Sequence, residues 1–371
     1  MNSIKRNILL NPGPATTTDS VKWAQVVPDI CPREVEFGQL MNSVSTDLTQ
    51  FVADPTDYVT VLFSGSGTSA VESILCSCVS QDDSLLIINN GAYGERMVKI
   101  ANTYKLNVVE FKSVPYHAID LNLLEQTIQT CTRKITHLAV VHHETTTGLL
   151  NNVKLIGEIC VKHEIDLIVD AMSSYAAIPI QMNEMNISYL AASSNKNLQG
   201  MAGISFVIAK VSKLEQLENA DIRSYYLNLY EQYKYFSKNK QMRFTPPVQT
   251  MYALKQAIIE LQEEGITERY IRYTRSWERL ISGTYRLGLS YLVPEAHHSK
   301  IITAIIEPDI SQYNFPNMHQ YFYKHNIMIY PGKLDEFNTF RIANIGAITY
   351  KDIDTFLDLL EHYLTSISVE I

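Results

Sequence analysis

The sequence predicts an α/β protein: a large domain with a mainly parallel sheet sandwiched by helices, and a smaller α/β domain at the C-terminal end. Three observations predict it. Short apolar runs alternate with helical patterns of about 10–15 residues through the first two thirds of the chain. The runs are continuously apolar rather than alternating, as strands covered on both faces must be. The pattern then changes near Asn219, where a polar, tyrosine-rich stretch leads into two long helical patterns and a set of shorter units.

In chain order, residues 60–63 (Thr-Val-Leu-Phe) read as a strand, followed by a Gly/Ser turn and a helix over 70–79. A second apolar run, 84–88, ends at the turn Asn89-Asn90-Gly91 and precedes a helix over 95–104. Further strands are expected at 107–111, 137–142, 167–170, 190–193 and 204–209, with helices over 120–130 and 153–163 between them. Beyond Pro247 the helical patterns 248–264 and 267–287 are followed by strands at 301–306, 327–330 and 340–343. Helices over 316–325 and 351–364 complete the set. The expected division is an N-terminal arm over 1–20, a large domain over 21–264 and a small domain over 265–371.

Composition narrows the function classes. Among 371 residues, 31 Lys+Arg stand against 39 Asp+Glu, a net charge of −8, and no basic block stands out. A generic nucleic-acid binder is therefore not expected. With 46% apolar and 19% charged residues, the chain is globular rather than disordered. No apolar run approaches the roughly 18 residues of a membrane helix. The apolar stretch after Lys5-Arg6 is broken at Asn11-Pro12-Gly13-Pro14, so no secretory signal is expected. The five cysteines are odd in number, and Cys76/Cys78 form a C-x-C pair with no second pair to complete a zinc site. Reduced thiols in the cytoplasm and no metal are the expectation.

Three segments carry chemistry. Ser64-Gly65-Ser66-Gly67-Thr68 follows a strand and opens a helix, where free N–H groups, close backbone approach and hydroxyls make a phosphate cradle. It is neither a P-loop nor a dinucleotide fingerprint, since the lysine and the G-x-G-x-x-G spacing are missing. Asp170 ends the apolar strand Leu167-Ile168-Val169, at the edge where open α/β sheets place ligands. Lys196 follows a later strand in a Ser/Asn/Gly-rich turn, where partial desolvation suits an amine that attacks an aldehyde. Phosphate cradle, strand-end acid and strand-end amine together are what pyridoxal 5'-phosphate requires, and Tyr93 after another strand offers an aromatic face or simply packs.

On these residues the chain resembles the class V aminotransferases of fold type I, the pyridoxal-phosphate-dependent transferases. The resemblance runs from Leu9-Leu10-Asn11-Pro12-Gly13-Pro14 through Asn90-Gly91-Ala92-Tyr93-Gly94 to Arg243-Phe244-Thr245. The stretches Glu144-Thr145-Thr146-Thr147-Gly148, Asp170-Ala171-Met172-Ser173-Ser174, Tyr330-Pro331-Gly332-Lys333 and Arg341-Ile342-Ala343-Asn344-Ile345-Gly346 point to its phosphonate-using members. The implied reaction moves an amino group between 2-aminoethylphosphonate and pyruvate, giving phosphonoacetaldehyde and L-alanine, in either direction. The resemblance implies that Lys196 binds the cofactor aldehyde and shuttles the proton, and that Asp170 pairs with the pyridinium. It further implies that Ser66, Gly67 and Thr68 hold the phosphate, with Thr245 reaching in from the partner subunit of a homodimer. Tyr93 stacks on the ring, Thr145 or Thr147 donates to the ring hydroxyl, and Arg341 grips the carboxylate. Arg33 lies in Asp29-Ile30-Cys31-Pro32-Arg33-Glu34-Val35-Glu36-Phe37, which departs from the family's Trp- and Asp-rich run. It either helps to neutralise the phosphonate in the neighbouring subunit or forms a surface salt bridge. Rival readings are an alanine/serine–glyoxylate transaminase, a cysteine-dependent lyase and a non-catalytic relative. No cysteine follows Cys160 to serve the lyase, and the retained Lys196 and Asp170 oppose the last.

Overall fold

The structure, a computed structural model, describes residues 4–332, 334 and 336–368; Lys333 of the motif above lies outside them. The chain begins with β1 (Ile8–Leu9), α1 (Asp19–Trp23) and α2 (Val35–Gln50). Then β2 (Tyr58–Ser64), α3 (Gly67–Cys78), β3 (Ser84–Asn89), α4 (Ala92–Thr103), β4 (Asn107–Lys112), α5 (Leu121–Thr130) and β5 (His137–Val141) alternate as the periodicity predicts. A small hairpin, β6 (His143–Glu144) and β7 (Leu149–Leu150), precedes α6 (Val153–Lys162), β8 (Asp166–Asp170), β9 (Ile187–Ser193) and β10 (Ile204–Lys210). Helices α7 (Val211–Glu215), α8 (Leu229–Asn239), α9 (Val248–Glu264) and α10 (Ile266–Arg286) follow. The chain ends with β11 (Ile302–Ile306), α11 (Phe315–Lys324), β12 (Ile327–Met328), β13 (Tyr330–Pro331), β14 (Thr339–Ala343) and α12 (Tyr350–Ser368).

Seven strands form the large sheet in the order β2-β10-β9-β8-β5-β3-β4. All pairs are parallel except those of β10, which runs against both β2 and β9. A parallel return needs a crossover of a dozen or more residues, usually helical. The β9–β10 connection is a short loop without a helix, so β10 folds straight back along its neighbour. Because β2, β3, β5, β8 and β9 point the same way, the loops at their carboxyl ends meet at one edge of the sheet. Two apolar layers cover its faces, one built with α2, α5, α6 and α9 and the other with α3 and α4. At about 25 cal/mol per Å² of apolar surface removed from water, these layers are the main stabilising term.

Four α-helices form where the sequence reading expects none: the short α1 and α7, and the longer α2 and α8. In α2 the buried Phe37, Met41, Val44 and Leu48 make one stripe facing β2 and α9. In α8 only Leu229, Gln232 and Phe236 are buried, so its tyrosine-rich surface masks the period. The single strand expected at 327–330 is two: β12 pairs with β1, whereas β13 pairs with β14. β1 thereby belongs to the C-terminal elements. Beyond it, Ala15 N–H donates to Asn195 O at 3.0 Å and Ala347 N–H to Thr16 O at 2.8 Å, so the arm straps the C-terminal units to the Lys196 loop. A third apolar cluster joins Leu10, α10, α11, α12, β11 and β14.

Candidate active site

The converging loops enclose a cavity of about 570 Å³. Seven residues singled out from the sequence line it: Ser66, Gly67, Thr68, Tyr93, Thr145, Asp170 and Lys196. Asp170 is the last residue of β8 and 6% exposed, and its carboxylate accepts Met172 N–H at 2.9 Å. Burial pushes its pKa up to about 6, against the pull of that N–H and of the nearby Arg96 and Lys196 charges. Lys196 Nζ donates to Pro12 O at 2.5 Å. Burial holds this amine down to about 8; Asp170 opposes the drop, and Arg341 and Arg96 add to it. The arm passes so near that a Cβ on Gly13, at φ +132°, would sit 2.5 Å from Lys196 Cδ. The Asn-Pro-Gly-Pro run is thus a backbone ceiling over the amine.

The cavity floor is the start of α3. The first N–H groups of a helix have no intrahelical acceptor, and Ser66, at the N-cap, makes no side-chain cap bond to them. Gly67 lets Met172 pack against this turn, where a Cβ would overlap its sulfur. Tyr93, in the first turn of α4, carries Arg96 over its ring at 4.7 Å. Arg96 also lines the cavity and escaped the sequence reading. Its signal is the i, i+3 spacing from Tyr93 on one helix face. Burial, with the Glu144 carboxylate beside it, raises the Tyr93 phenol above its ordinary pKa.

Of the two threonines in contention, Thr145 lines the cavity. Thr147 is fully buried, and its hydroxyl is used inside the turn, accepting Leu149 N–H at 3.3 Å. Arg341, on β14, is 1% exposed and lies beside the cavity rather than on its wall. Its Nε donates to Pro331 O at 2.9 Å and Nη1 to Thr145 O at 3.4 Å, while buried Nη2 has no acceptor among the described residues. Arg33 and Thr245 are not brought here. Arg33 is exposed and pairs with no carboxylate; Nη1 donates to Met242 O at 2.7 Å and Nη2 to Arg243 O at 3.2 Å. The expected surface salt bridge is absent among the described residues, and Arg33 instead holds the loop leading to exposed Thr245.

An amine held near neutrality, a buried acid and an uncapped helix start around one cavity define an enzyme of the aldehyde-cofactor transferase type. The chain belongs to the class V aminotransferases: the family profile "Aminotransferase class-V" matches residues 22–333. It is 39% identical to the 2-aminoethylphosphonate–pyruvate transaminase of Lysinibacillus sphaericus, over 96% of this chain and 97% of that protein. The same transaminase of Vibrio cholerae is 38% identical over the same shares. The bifunctional phosphonoacetaldehyde hydrolase/aminoethylphosphonate transaminase of Clostridioides difficile is also 38% identical, but the chain spans only 56% of its length. Among solved structures, alanine–glyoxylate aminotransferase from Nostoc sp. superposes with TM-score 0.91 at 24% identity, covering 98% of this chain and 96% of that one. That likeness concerns the fold. The cofactor of this family is pyridoxal 5'-phosphate, and the donor set fits it: uncapped N–H groups for a phosphate, a buried carboxylate for a ring nitrogen, an amine for an aldehyde.

Proposed function

We propose that this protein exchanges an amino group between 2-aminoethylphosphonate and pyruvate, yielding phosphonoacetaldehyde and L-alanine. The observation that carries the acceptor half is Arg341. A guanidinium 1% exposed beside Lys196, with Nη2 unmet by any acceptor among the described residues, is a ready fork for a carboxylate. The donor half is supported by the relatives named for that substrate, whose similarity extends over nearly the whole chain.

When bound, pyridoxal phosphate supplies an aldehyde for the amino group and a protonated ring that takes up an electron pair. The chain's own residues do the rest. Ser66, Gly67 and Thr68 at the start of α3 receive the phosphate through backbone N–H groups and hydroxyls. Asp170, ionised above about pH 6, holds the ring nitrogen protonated. Tyr93, on the cavity wall, would offer its aromatic face to the ring. Lys196 would hold the cofactor aldehyde and, as a free amine, would take and return the proton of the amine-bearing carbon. Its pKa near 8 suits both taking and returning that proton near neutral pH.

A homodimer is part of the proposal, with Thr245 of a second copy completing the phosphate site. Its exposure, at the end of the loop that Arg33 braces, supports that reading. Arg33 then serves the neighbouring copy's phosphonate pocket through this loop. The domain reading 1–20, 21–264 and 265–371 accords with the separate C-terminal apolar cluster. Five free cysteines accord with the cytoplasm. Among the described residues, no helix is long and apolar enough to cross a membrane.

The test is a single turnover. Holoenzyme mixed with 2-aminoethylphosphonate and no pyruvate should release one phosphonoacetaldehyde per active site and then stop. Amination of the cofactor by alanine or serine with no phosphonoacetaldehyde formed from the phosphonate would refute the substrate. Arg341→Lys should raise the pyruvate KM at least tenfold, since a single ammonium cannot form the two-point contact. An effect confined to the phosphonate half-reaction would reverse the assignment.

A further inference from the structure

A buried line of hydrogen bonds runs from the cavity to the C-terminal part of the chain. Thr145 Oγ1 donates to Ser173 Oγ at 3.2 Å, and Ser173 Oγ donates to the carbonyl of His143 at 3.0 Å. Ser173 Oγ also lies 2.9 Å from His143 Nδ1. At the far side of the ring, Nε2 is 2.9 Å from Ser299 Oγ, just before β11. His143, Ser173 and Ser299 are all buried, at 0%, 4% and 0% exposure.

The directions follow from counting protons. A serine has one O–H and two lone pairs. The buried His143 carbonyl can only accept, so with the Ser173 proton placed there the Nδ1 contact takes its hydrogen from the ring. Burial lowers the imidazole pKa well below its ordinary value, with His298, His142 and Lys196 acting the same way, so the ring carries one proton only. Nε2 is then an acceptor and takes the Ser299 O–H. Both lone pairs of Ser173 are filled, one by Nδ1–H and one by Thr145 O–H. Thr145 therefore turns its own lone pairs toward the cavity. This differs from the donor role that the resemblance implies for it, because its proton points away to Ser173.

We propose that His143 is a positioning residue: locked as the Nδ1–H form by Ser299, it works through Ser173 to fix Thr145 as a hydrogen-bond acceptor facing the bound molecule. The partner it suits is an N–H or O–H of that molecule, such as an incoming amine. The lock also ties the site to the C-terminal units. Ser299 N–H donates to Gly148 O at 2.9 Å, and Leu149 bridges His298, so the hairpin carrying Thr145 and the segment carrying Ser299 form one seam. The inference rests on reading the cavity as the cofactor and substrate site.

Two measurements test it. In holoenzyme labelled with ¹⁵N in its histidine rings, His143 should show the Nδ1–H form, identified by the loss of its signals in His143→Asn. An Nε2–H form would overturn the proposal outright. The second measurement compares His143→Asn, whose amide N–H replaces Nδ1–H, with His143→Gln, whose amide reaches the Nε2 position. The Asn variant should keep kcat within about threefold, whereas the Gln variant should lose about tenfold in kcat, the worth of one misdirected hydrogen bond. The Gln variant should leave the pyruvate KM unchanged and shift the absorbance maximum of bound pyridoxal phosphate. Equal losses in both variants, or a fall in melting temperature with an unshifted spectrum, would reduce His143 to a packing residue. If the Gln variant does not fold, the ring form in the unaltered enzyme still decides. The ring form and the spectrum are read without any amino donor, so a wrong substrate assignment leaves them standing.

Discussion

Lys196 is useful as a neutral amine, and its surroundings set the pH at which it becomes one. Capture of pyridoxal phosphate by the apoprotein should speed up with rising pH and level off above about 8, as the ammonium gives up its proton. Asp170 raises this pKa, so Asp170→Asn should move the midpoint to lower pH. Stopped-flow absorbance across pH 6–10 reads the shift (about two units either side of that value); an unmoved midpoint would show the two groups to be uncoupled. Asp170 also costs stability. Its folded pKa of about 6 lies above the ordinary carboxyl value of 3.8, so between those values the folded state binds more protons and loses stability as pH rises. In the apoprotein, Asp170→Asn should gain up to about 3 kcal/mol over the parent above pH 6, nothing below pH 4, and no transaminase activity. Urea unfolding at pH 4 and 8 checks it. A function-bearing residue that weakens its own fold is a common arrangement at active sites.

At the scale of elements, the site depends on turns that bring backbone against backbone. Gly148, at φ +94°, ends the turn that carries Thr145, and an added Cβ would overlap the carbonyl of Ile302 in β11. Gly148→Ala should destabilise the protein by about 1–3 kcal/mol. It should also lower kcat, because the seam that orients Thr145 must open. Thermal unfolding and steady-state rates on the same preparation separate the two effects. A stable variant with normal turnover would show that the seam tolerates displacement.

At the scale of the whole molecule, the proposed dimer makes a distinctive prediction. Lys196→Ala should be inactive because its own amine is missing, and Thr245→Ala should bind pyridoxal phosphate weakly because it fails its neighbour. Refolded together, the two variants should form hybrids with one intact site, built from the parental Lys196 of one copy and the parental Thr245 of the other. Activity of the mixture above the sum of the separate preparations checks it. Strict additivity would place Thr245 outside the partner's site.

The alternation of buried strands and helices was legible in the sequence because parallel strands covered on both faces leave unbroken apolar runs. The lysine, the acid and the phosphate cradle were legible because each follows such a run. The helices over Val35–Gln50 and Leu229–Asn239 were not: polar side chains fall between the buried residues of the first, and only three residues of the second are buried. The chain alone determined which chemical groups stand at the strand ends and what they suit. Only the tertiary structure decided that Pro12 roofs Lys196, that Arg96 covers Tyr93, and that Ser299 locks the ring contacting Thr145's neighbour. These contacts join residues 184 and 156 positions apart in the longest cases, and no local pattern specifies which distant segments a compact fold will press together.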